Sequence, residues 1–424
     1  MLSSRTRHTD SDVVVIGAGP AGLSAAHRLS AAGLTVLVLE SGDRIGGRMA
    51  TEKRDGFLLD RSSQLTLPES PALAELPRPV ALSPLRGGVR LHGAGPVCQL
   101  GGEGEGAAPP AESFDQIWLR ANLARLGRLS EEQLSRRPEV TAAEALTQRD
   151  IPSRIADAML RPALAALLHD PELSTSSRLS DAVLRAFARH GLALPEGGAA
   201  TLPHALAAEL PVGALRTGVT VTSVATTRVE TADHGVFRCR AVVVATGAAT
   251  AGRLLPGLRM PRFHQMTVLH HAAPELPVPR PALLVEAGAR GPVAHSVAVS
   301  AADPSRAPAG QTLLTSVVIG PQAAERPDRL DRAARTQLGE LHGAPANGWR
   351  LLAAHHDPQA VPVLPPPYRR RRPVRLLDGL YVCGDHRDLP GITGDLVSAR
   401  RASLAVMEDL GCAPAAPSAS AAAG

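Results

Sequence analysis

"DVVVIGAGPAGLSAAHRLSAAGLTVLVLE", residues 12–40, carries a complete strand–turn–helix–strand signature. Within residues 12–16 the run after Asp12 is apolar and β-branched, as expected of a strand buried on both faces of a parallel sheet. Residues 17–22 read as a turn, and residues 21–32 as a helix of Ala, Leu and Ser closed by Gly33. Residues 35–39 form a second buried strand ending at Glu40. Gly17, Gly19 and Gly22 stand in the GxGxxG spacing. The first glycine allows a tight turn, the second lets the backbone approach a pyrophosphate, and the third lets helix and strand pack closely. Pro20 and Ala21 open a helix whose free N–H groups and positive dipole end favour phosphate. A carboxylate at Glu40 can accept from both ribose hydroxyls and would repel a 2′-phosphate.

The next residues, "ESGDRIGGRMAT" at 40–51, add Ser41 and a glycine pair, Gly46-Gly47, flanked by Arg44 and Arg48. Arginines there can neutralise a dinucleotide pyrophosphate from the side opposite the helix. Far downstream, "YVCGDHRDLPGITGDLVSAR" at 381–400 repeats the order strand, Gly-Asp turn, Pro/Gly loop, helix start. Leu396, Ala399, Ser403, Val406 and Leu410 then make one small apolar stripe suited to packing on a sheet. The late unit reads as the other half of one site.

Composition bounds the rest. The 424 residues, 44% hydrophobic, supply core for roughly two to three domains. The opening "MLSSRTRHTD" is polar, so no secretory leader is expected, and no apolar run reaches the ~18 residues of a transmembrane helix. Cys98, Cys239, Cys383 and Cys412 are scattered without metal spacing, as for reduced thiols in a cytoplasmic protein. Lys53 is the only lysine, a bias that GC-rich codons produce along with abundant Ala, Gly and Pro. The net charge of +5 is therefore weak evidence for nucleic acid, and five Phe, two Trp and two Tyr leave few rings for base stacking. The run Arg369–Arg372 reads as a solvated loop or a set of scattered pairs.

Residues 68–106 look loop-like; 111–129 and 141–168 look helical, the second kinked or restarted by Pro162. Residues 202–210 and 333–342 read as helices, 219–246 as a meander of strands, and 263–320 as short strands. The expected fold class is α/β: a Rossmann-like, two-dinucleotide-binding-type domain assembled from 1–75, 201–260 and 376–412. A mostly helical insert spans 76–200 and an antiparallel stretch 261–375, together an α+β substrate domain. The low-complexity tail at 413–424 is expected to be disordered.

On residues 12–51 and "GFLLDRSSQL" at 56–65, the chain resembles the flavoprotein superfamily of amine oxidases, protoporphyrinogen oxidases and phytoene desaturases. Its late segment is similar to that of actinobacterial phytoene-desaturase-type oxidoreductases. The resemblance implies FAD, with its ADP half on Gly17–Gly22, Glu40, Ser41, Arg44 and Arg48. The ring would reach towards residues 62–65, where Ser63 and Gln64 are candidate contacts; family members often carry Asp-x-Gly there, and this chain has serines. "VTSV" at 221–224 resembles the strand whose Val221 flanks adenine. "AVVVATGA" at 241–248 resembles an Ala-Thr-Gly strand end, with Thr246 and Gly247 near the dinucleotide. Gly384 and Asp385 match a Gly-Asp whose acid bonds the ribityl–pyrophosphate region. The helix beginning at Ile392, Thr393, Gly394 and Asp395 would aim N–H groups at the flavin pyrimidine edge, where charge collects on reduction. The resemblance implies a small residue at position 395; an acid facing the flavin O2 would be unfavourable, so the Asp395 carboxylate is expected to face away and cap the helix.

The same resemblance implies an FAD-dependent oxidoreductase abstracting a hydride from a small, largely apolar molecule, a desaturation or dehydrogenation suited to secondary metabolism. The alternative is an amine or amino-acid oxidase that uses O2 and releases H2O2. In that branch a lysine usually holds a water near flavin N5 and two rings frame the amine. Lys53 directly follows the Arg48 motif, and the last third offers only Trp349, Tyr368 and Tyr381. A redox-neutral flavoenzyme and a non-catalytic escort-type binder share the fold, and the intact cofactor set argues against the binder. The catalytic candidates are His386 and Arg387, in the loop after Asp385. The pairs His270-His271 and His355-His356 lack a companion acid at metal spacing, so no metal is expected. Cys383 is either core packing or a flavin neighbour. The expected partner is a small-molecule substrate, with no nucleic acid; the electron acceptor, peripheral membrane contact and oligomeric state stay open.

Overall fold

The computed structural model of the chain describes residues 10–68, 70–93, 97–102, 114–278, 280–288, 290–369 and 371–412; the tail at 413–424 lies outside them. The early unit forms β1 (Val13–Ile16), α1 (Pro20–Ala31) and β2 (Val36–Leu39). Later segments add β3 (Leu215–Arg216), β4 (Ala241–Val244) and α2 (Ala248–Leu254). The C-terminal stretch supplies β5 (Arg375–Leu377), β6 (Leu380–Val382) and α3 (Ile392–Leu410). These six strands make one sheet in the order β5-β6-β4-β1-β2-β3, parallel except for β5. Val13 stands opposite Ala241 on one side and Val36 on the other. Every residue of β1, β2, β4 and β6 is buried, which is why these strands need uninterrupted apolar runs. One face packs on α1 and α3 through Leu23, Leu29, Ala399 and Val406. The other packs on Val229, Phe237, Leu254 and Leu255.

Two glycines permit the tightest crossings. A Cβ on Gly22 would sit 1.9 Å from the Gly17 carbonyl oxygen, and one on Gly394 would sit 1.6 Å from that of Leu389. The first sets α1 against β1, and the second seats the start of α3 on the loop before it.

A second, seven-stranded sheet lies beyond. Its order is Arg350–Pro362, Phe263–Pro274, Gln311–Ile319, His295–Ala298, Leu283–Glu286, Val89–His92, Cys98–Leu100. The sequence reading differs here in two places. Phe263–Pro274 is one strand of 12 residues where short strands were expected, continuous because it pairs along its length with both neighbours. The stretch read as loop contains Val89–His92 and Cys98–Leu100. Val89–His92 pairs in parallel with Leu283–Glu286, a partner too distant in sequence to leave a local signal. Helices cover one face through Leu119, Leu164, Leu184 and Phe187, which meet Leu283 and Leu313. Pro327–His342 covers the other face. The helix expected at 141–168 is interrupted: Ala142–Gln148 is separate, and Ala156–Leu160 widens into a π turn before Pro162. Proline supplies no N–H to an i−4 carbonyl, and a wider turn relieves that clash.

Fully buried Arg306 fastens the strand Phe57–Asp60 to the loop after residue 302. Its guanidinium bonds Asp60 at 2.7 Å and Asp303 at 3.2 Å, and donates to the Pro195 carbonyl at 3.1 Å. Among the described residues no helix is long and apolar enough to cross a membrane.

Candidate active site

Because β6, β4, β1 and β2 are parallel neighbours, their C-terminal ends share one edge, and the turns leaving them meet there. A cleft of about 950 Å³ runs along this edge. The first turn contributes Gly17, Gly19, Pro20 and Ala21, and the end of β2 contributes Glu40 and Ser41. Gly47 and Arg48 follow, with Val221, Thr246 and Gly247 from the middle of the chain. The late turn contributes Gly384, Asp385 and His386, and α3 contributes Asp395. The early and late units thus form one site.

Other anticipated residues lie around it. Gly22 and Gly46 shape turns behind the lining; Gly46 has φ 105°, a left-handed value. Arg44 is exposed and pairs with Asp43 at 3.3 Å. Gln64 donates to the Arg48 carbonyl at 3.1 Å, supporting a cleft residue rather than lining the cleft. Ser63, Ile392, Thr393 and Gly394 are also outside the lining; Thr393 bonds the Ser70 hydroxyl at 3.1 Å. Arg387 turns the other way, donating to the carbonyls of Pro373 at 3.0 Å and Arg259 at 3.4 Å. It therefore touches nothing in the cleft and drops out as a catalytic candidate. Cys383 is fully buried in the core and absent from the lining, and burial pushes its thiol up. Lys53 lies exposed on the strand Thr51–Arg54, also outside the lining.

The groups that line the cleft are held firmly. Glu40 accepts the backbone N–H groups of Ala18 and Gly42, each at 2.8 Å, which fixes its carboxylate at the end of β2. Arg48 pairs with Asp385 at 2.6 Å and donates to the Ala360 carbonyl at 2.6 Å, tying the early motif to the late one. Burial works against the Arg48 charge, but Asp385, Asp395 and Asp357 outweigh it and hold its pKa above the ordinary value.

Asp395 does not face away. Its carboxylate lines the cleft and accepts the Asp385 backbone N–H at 2.8 Å. It sits in the first turn of α3 but bonds the preceding loop, because that loop folds back over the helix start at Gly394. Burial, then the neighbouring Asp385 charge, push the Asp395 carboxyl up to about 7, against the pull of Arg48. A raised folded-state pKa stabilises the fold at low pH, and that contribution is lost as pH rises through about 7. Asp395→Asn keeps the acceptor oxygen and removes the charge. It is expected to raise stability at pH 8 by about 1–3 kcal/mol and to change little at pH 4. Thermal melts at the two pH values check this; an equal effect at both contradicts it.

His386 is buried, its ring packed on the Gly384 backbone so closely that a Cβ there would sit 2.6 Å from its Cε1. Burial pushes the imidazole down to about 4; Arg387, Arg48 and Arg372 act in the same direction and Asp385 against it. The ring is therefore neutral near pH 7. Its Nε2 has no hydrogen-bond partner, and neither has the buried hydroxyl of Thr246. Both residues line the cleft.

Sequence reasoning missed one part of the cleft wall: Phe263, Asp357, Pro358 and Gln359, from two strands of the second sheet. Their register shifts between His264 and Met266, a bulge that breaks the pairing next to the cleft. No local motif announces it. The paired histidines serve the same sheet: His270 bonds the Asp60 carbonyl at 2.8 Å and Thr315 at 3.0 Å, and His271 bonds Asp331 at 2.9 Å.

A parallel sheet with a glycine turn at one strand end, an acid at the next and a second glycine turn on the same edge has the form of a dinucleotide-binding fold. Residues 20–407 match the flavin containing amine oxidoreductase family, and the chain belongs to it. A putrescine oxidase from Kocuria rosea is 52% identical over 65 residues, 15% of this chain and 14% of that protein. A 4,4'-diapophytoene desaturase from Staphylococcus haemolyticus is 42% identical over 55 residues, 13% of this chain and 11% of that protein. The chain thus matches only a small part of the length of these curated relatives. An oxidoreductase structure from Methanosarcina mazei superposes with a TM-score of 0.71 at 20% identity, covering 93% of this chain and 99% of the other. That likeness shows the fold. The cofactor of the family is FAD, and the residues present fit it. Open space surrounds the Cβ position of Gly19, where a phosphate can approach. Thr246 and His386, each with a buried polar atom that has no partner, line the same cleft.

Proposed function

We propose that the protein dehydrogenates a C–C or C–N bond of a small, largely apolar molecule, with the ADP half of FAD held at Gly17, Gly19, Glu40 and Arg48. The observation that carries this reading is His386: a cleft-lining residue, neutral and buried, whose Nε2 has no hydrogen-bond partner. FAD, when bound, supplies the two-electron hydride acceptor. His386 then takes the proton released as the substrate bond is oxidised. Arg48 balances phosphate charge, and Phe263, Pro358 and Gln359 form the wall that orients the substrate and excludes water.

A second reading, amine oxidation with peroxide release, is favoured by the putrescine oxidase match and by Asp357, a carboxylate on that wall suited to an ammonium group. Purified protein is expected to be yellow, with a two-banded flavin spectrum. Anaerobic bleaching by an unsaturated-hydrocarbon precursor without peroxide from amines supports dehydrogenation; peroxide from amines supports the second reading. A colourless protein that takes up no added FAD sinks both. His386→Gln is expected to lower kcat roughly a hundredfold with FAD content unchanged; unchanged turnover would remove His386 from the mechanism.

A further inference from the structure

The basic run and the arginine that the cleft leaves unused converge on a second cavity of about 940 Å³. One wall is apolar: Leu254, Leu255, Leu258 and Met260 at and after the end of α2, with Leu376 and Leu380 from the sheet edge. Arg259 from the same segment and Arg369, Arg371, Arg372 and Arg387 line the rest; Arg369 and Arg371 are exposed, as a solvated loop predicts, but the run also borders this cavity, and Arg370 lies outside the described residues. Among the described residues no Asp or Glu lines the cavity, and none of these five arginines has a carboxylate partner. Arg387 is only 4% exposed, and its guanidinium meets nothing but the carbonyls of Pro373 and Arg259. The nearby acid Asp388 is already taken by Arg401 at 3.1 Å. Burial, then Arg372 and Arg401, push Arg387 down to about 10. Like charges crowded on an apolar wall repel, and an anion set among them relieves that repulsion.

We propose that this cavity binds an amphipathic anion, a phosphate or carboxylate carried on a hydrocarbon body. The apolar wall takes the body and the arginines take the head. A concave site suits a single molecule better than the face of a bilayer. Leu254 lines both cavities, and His386 and Arg387 are consecutive, so the occupant shares a wall with the cofactor cleft.

The test is calorimetric titration of the FAD-loaded protein, whose cleft is filled, with octyl phosphate. Inorganic phosphate and octanol present each half alone. Octyl phosphate is expected to bind at least about tenfold tighter than either, and more weakly as salt is raised. The exposed pair Arg259→Ala/Arg371→Ala is expected to weaken octyl phosphate binding about tenfold or more, with FAD content as the folding control. Equal affinity for octanol, or binding untouched in the double variant, overturns the proposal. Co-sedimentation with phosphatidylcholine–phosphatidylglycerol vesicles separates the sources. Vesicle binding without octyl phosphate binding overturns the cavity in favour of a membrane surface.

Discussion

Gly19→Ala is expected to leave the apo protein nearly as stable as the parent and to strip most of its FAD, whereas Gly22→Ala is expected to damage both. The two glycines are three residues apart in one motif but face different things. Gly19 has an ordinary extended backbone, φ −79° and ψ 178°, and nothing lies within 4 Å of its Cβ position. A methyl group there meets no protein atom, and the weaker N-cap costs within ~1 kcal/mol. It does enter the space where the proposed pyrophosphate lies, so FAD affinity is expected to fall at least about tenfold. At Gly22 the methyl would lie 1.9 Å from the Gly17 carbonyl oxygen, a backbone atom that cannot rotate aside. The helix must lift off β1, at a cost of ~3 kcal/mol or more. Urea unfolding of the apo variants, with flavin absorbance of the purified proteins, separates the effects. A Gly19→Ala protein as yellow as the parent would mean that the phosphates do not approach this turn.

The contrast also marks what a reader of the sequence could and could not see. The GxGxxG spacing, the acid at Glu40 and the Gly-Asp at 384–385 are local signals, because each sits where a buried parallel strand ends and a turn must follow. That the two units are jaws of one cleft follows from the same logic, since parallel strands end on a common edge. What was not legible depends on distant pairing. Val89–His92 looked like loop because its partner is Leu283–Glu286. Phe263, Asp357 and Gln359 entered the cleft through a bulge between strands nearly a hundred residues apart. At a helix start a carboxylate ordinarily caps its own helix, which is what the local sequence implies for Asp395. The close seating of Gly394 under Leu389 instead brings the Asp385 N–H to it, and the acid points inward.

That inward acid makes Arg48 the second position of large expected effect. Asp385 is 4% exposed at its side chain and pairs with Arg48 at 2.6 Å, while Asp395 lines the same cleft. Arg48→Ala leaves two adjacent carboxylates without the cation that offsets them. Breaking a buried pair costs roughly 3–5 kcal/mol, and the partial exposure of Arg48 brings this down to about 2–3 kcal/mol near neutral pH. The loss should shrink on acidification. Asp395 already sits near 7 with Arg48 present, and without it a proton is held more tightly still, so below that value one carboxylate is neutral and the repulsion is gone. Arg48→Ala should also release FAD, and a second substitution tells the two roles apart. Arg48→Ala/Asp395→Asn removes one of the opposed charges and should recover most of the stability at pH 8. It should not recover cofactor, because the phosphates still lack their guanidinium. If the double variant regains FAD together with stability, then Arg48 acts on the cofactor only by keeping Asp385 and Asp395 apart. Equilibrium unfolding at pH 5 and pH 8, with FAD titrated into each variant, distinguishes these outcomes.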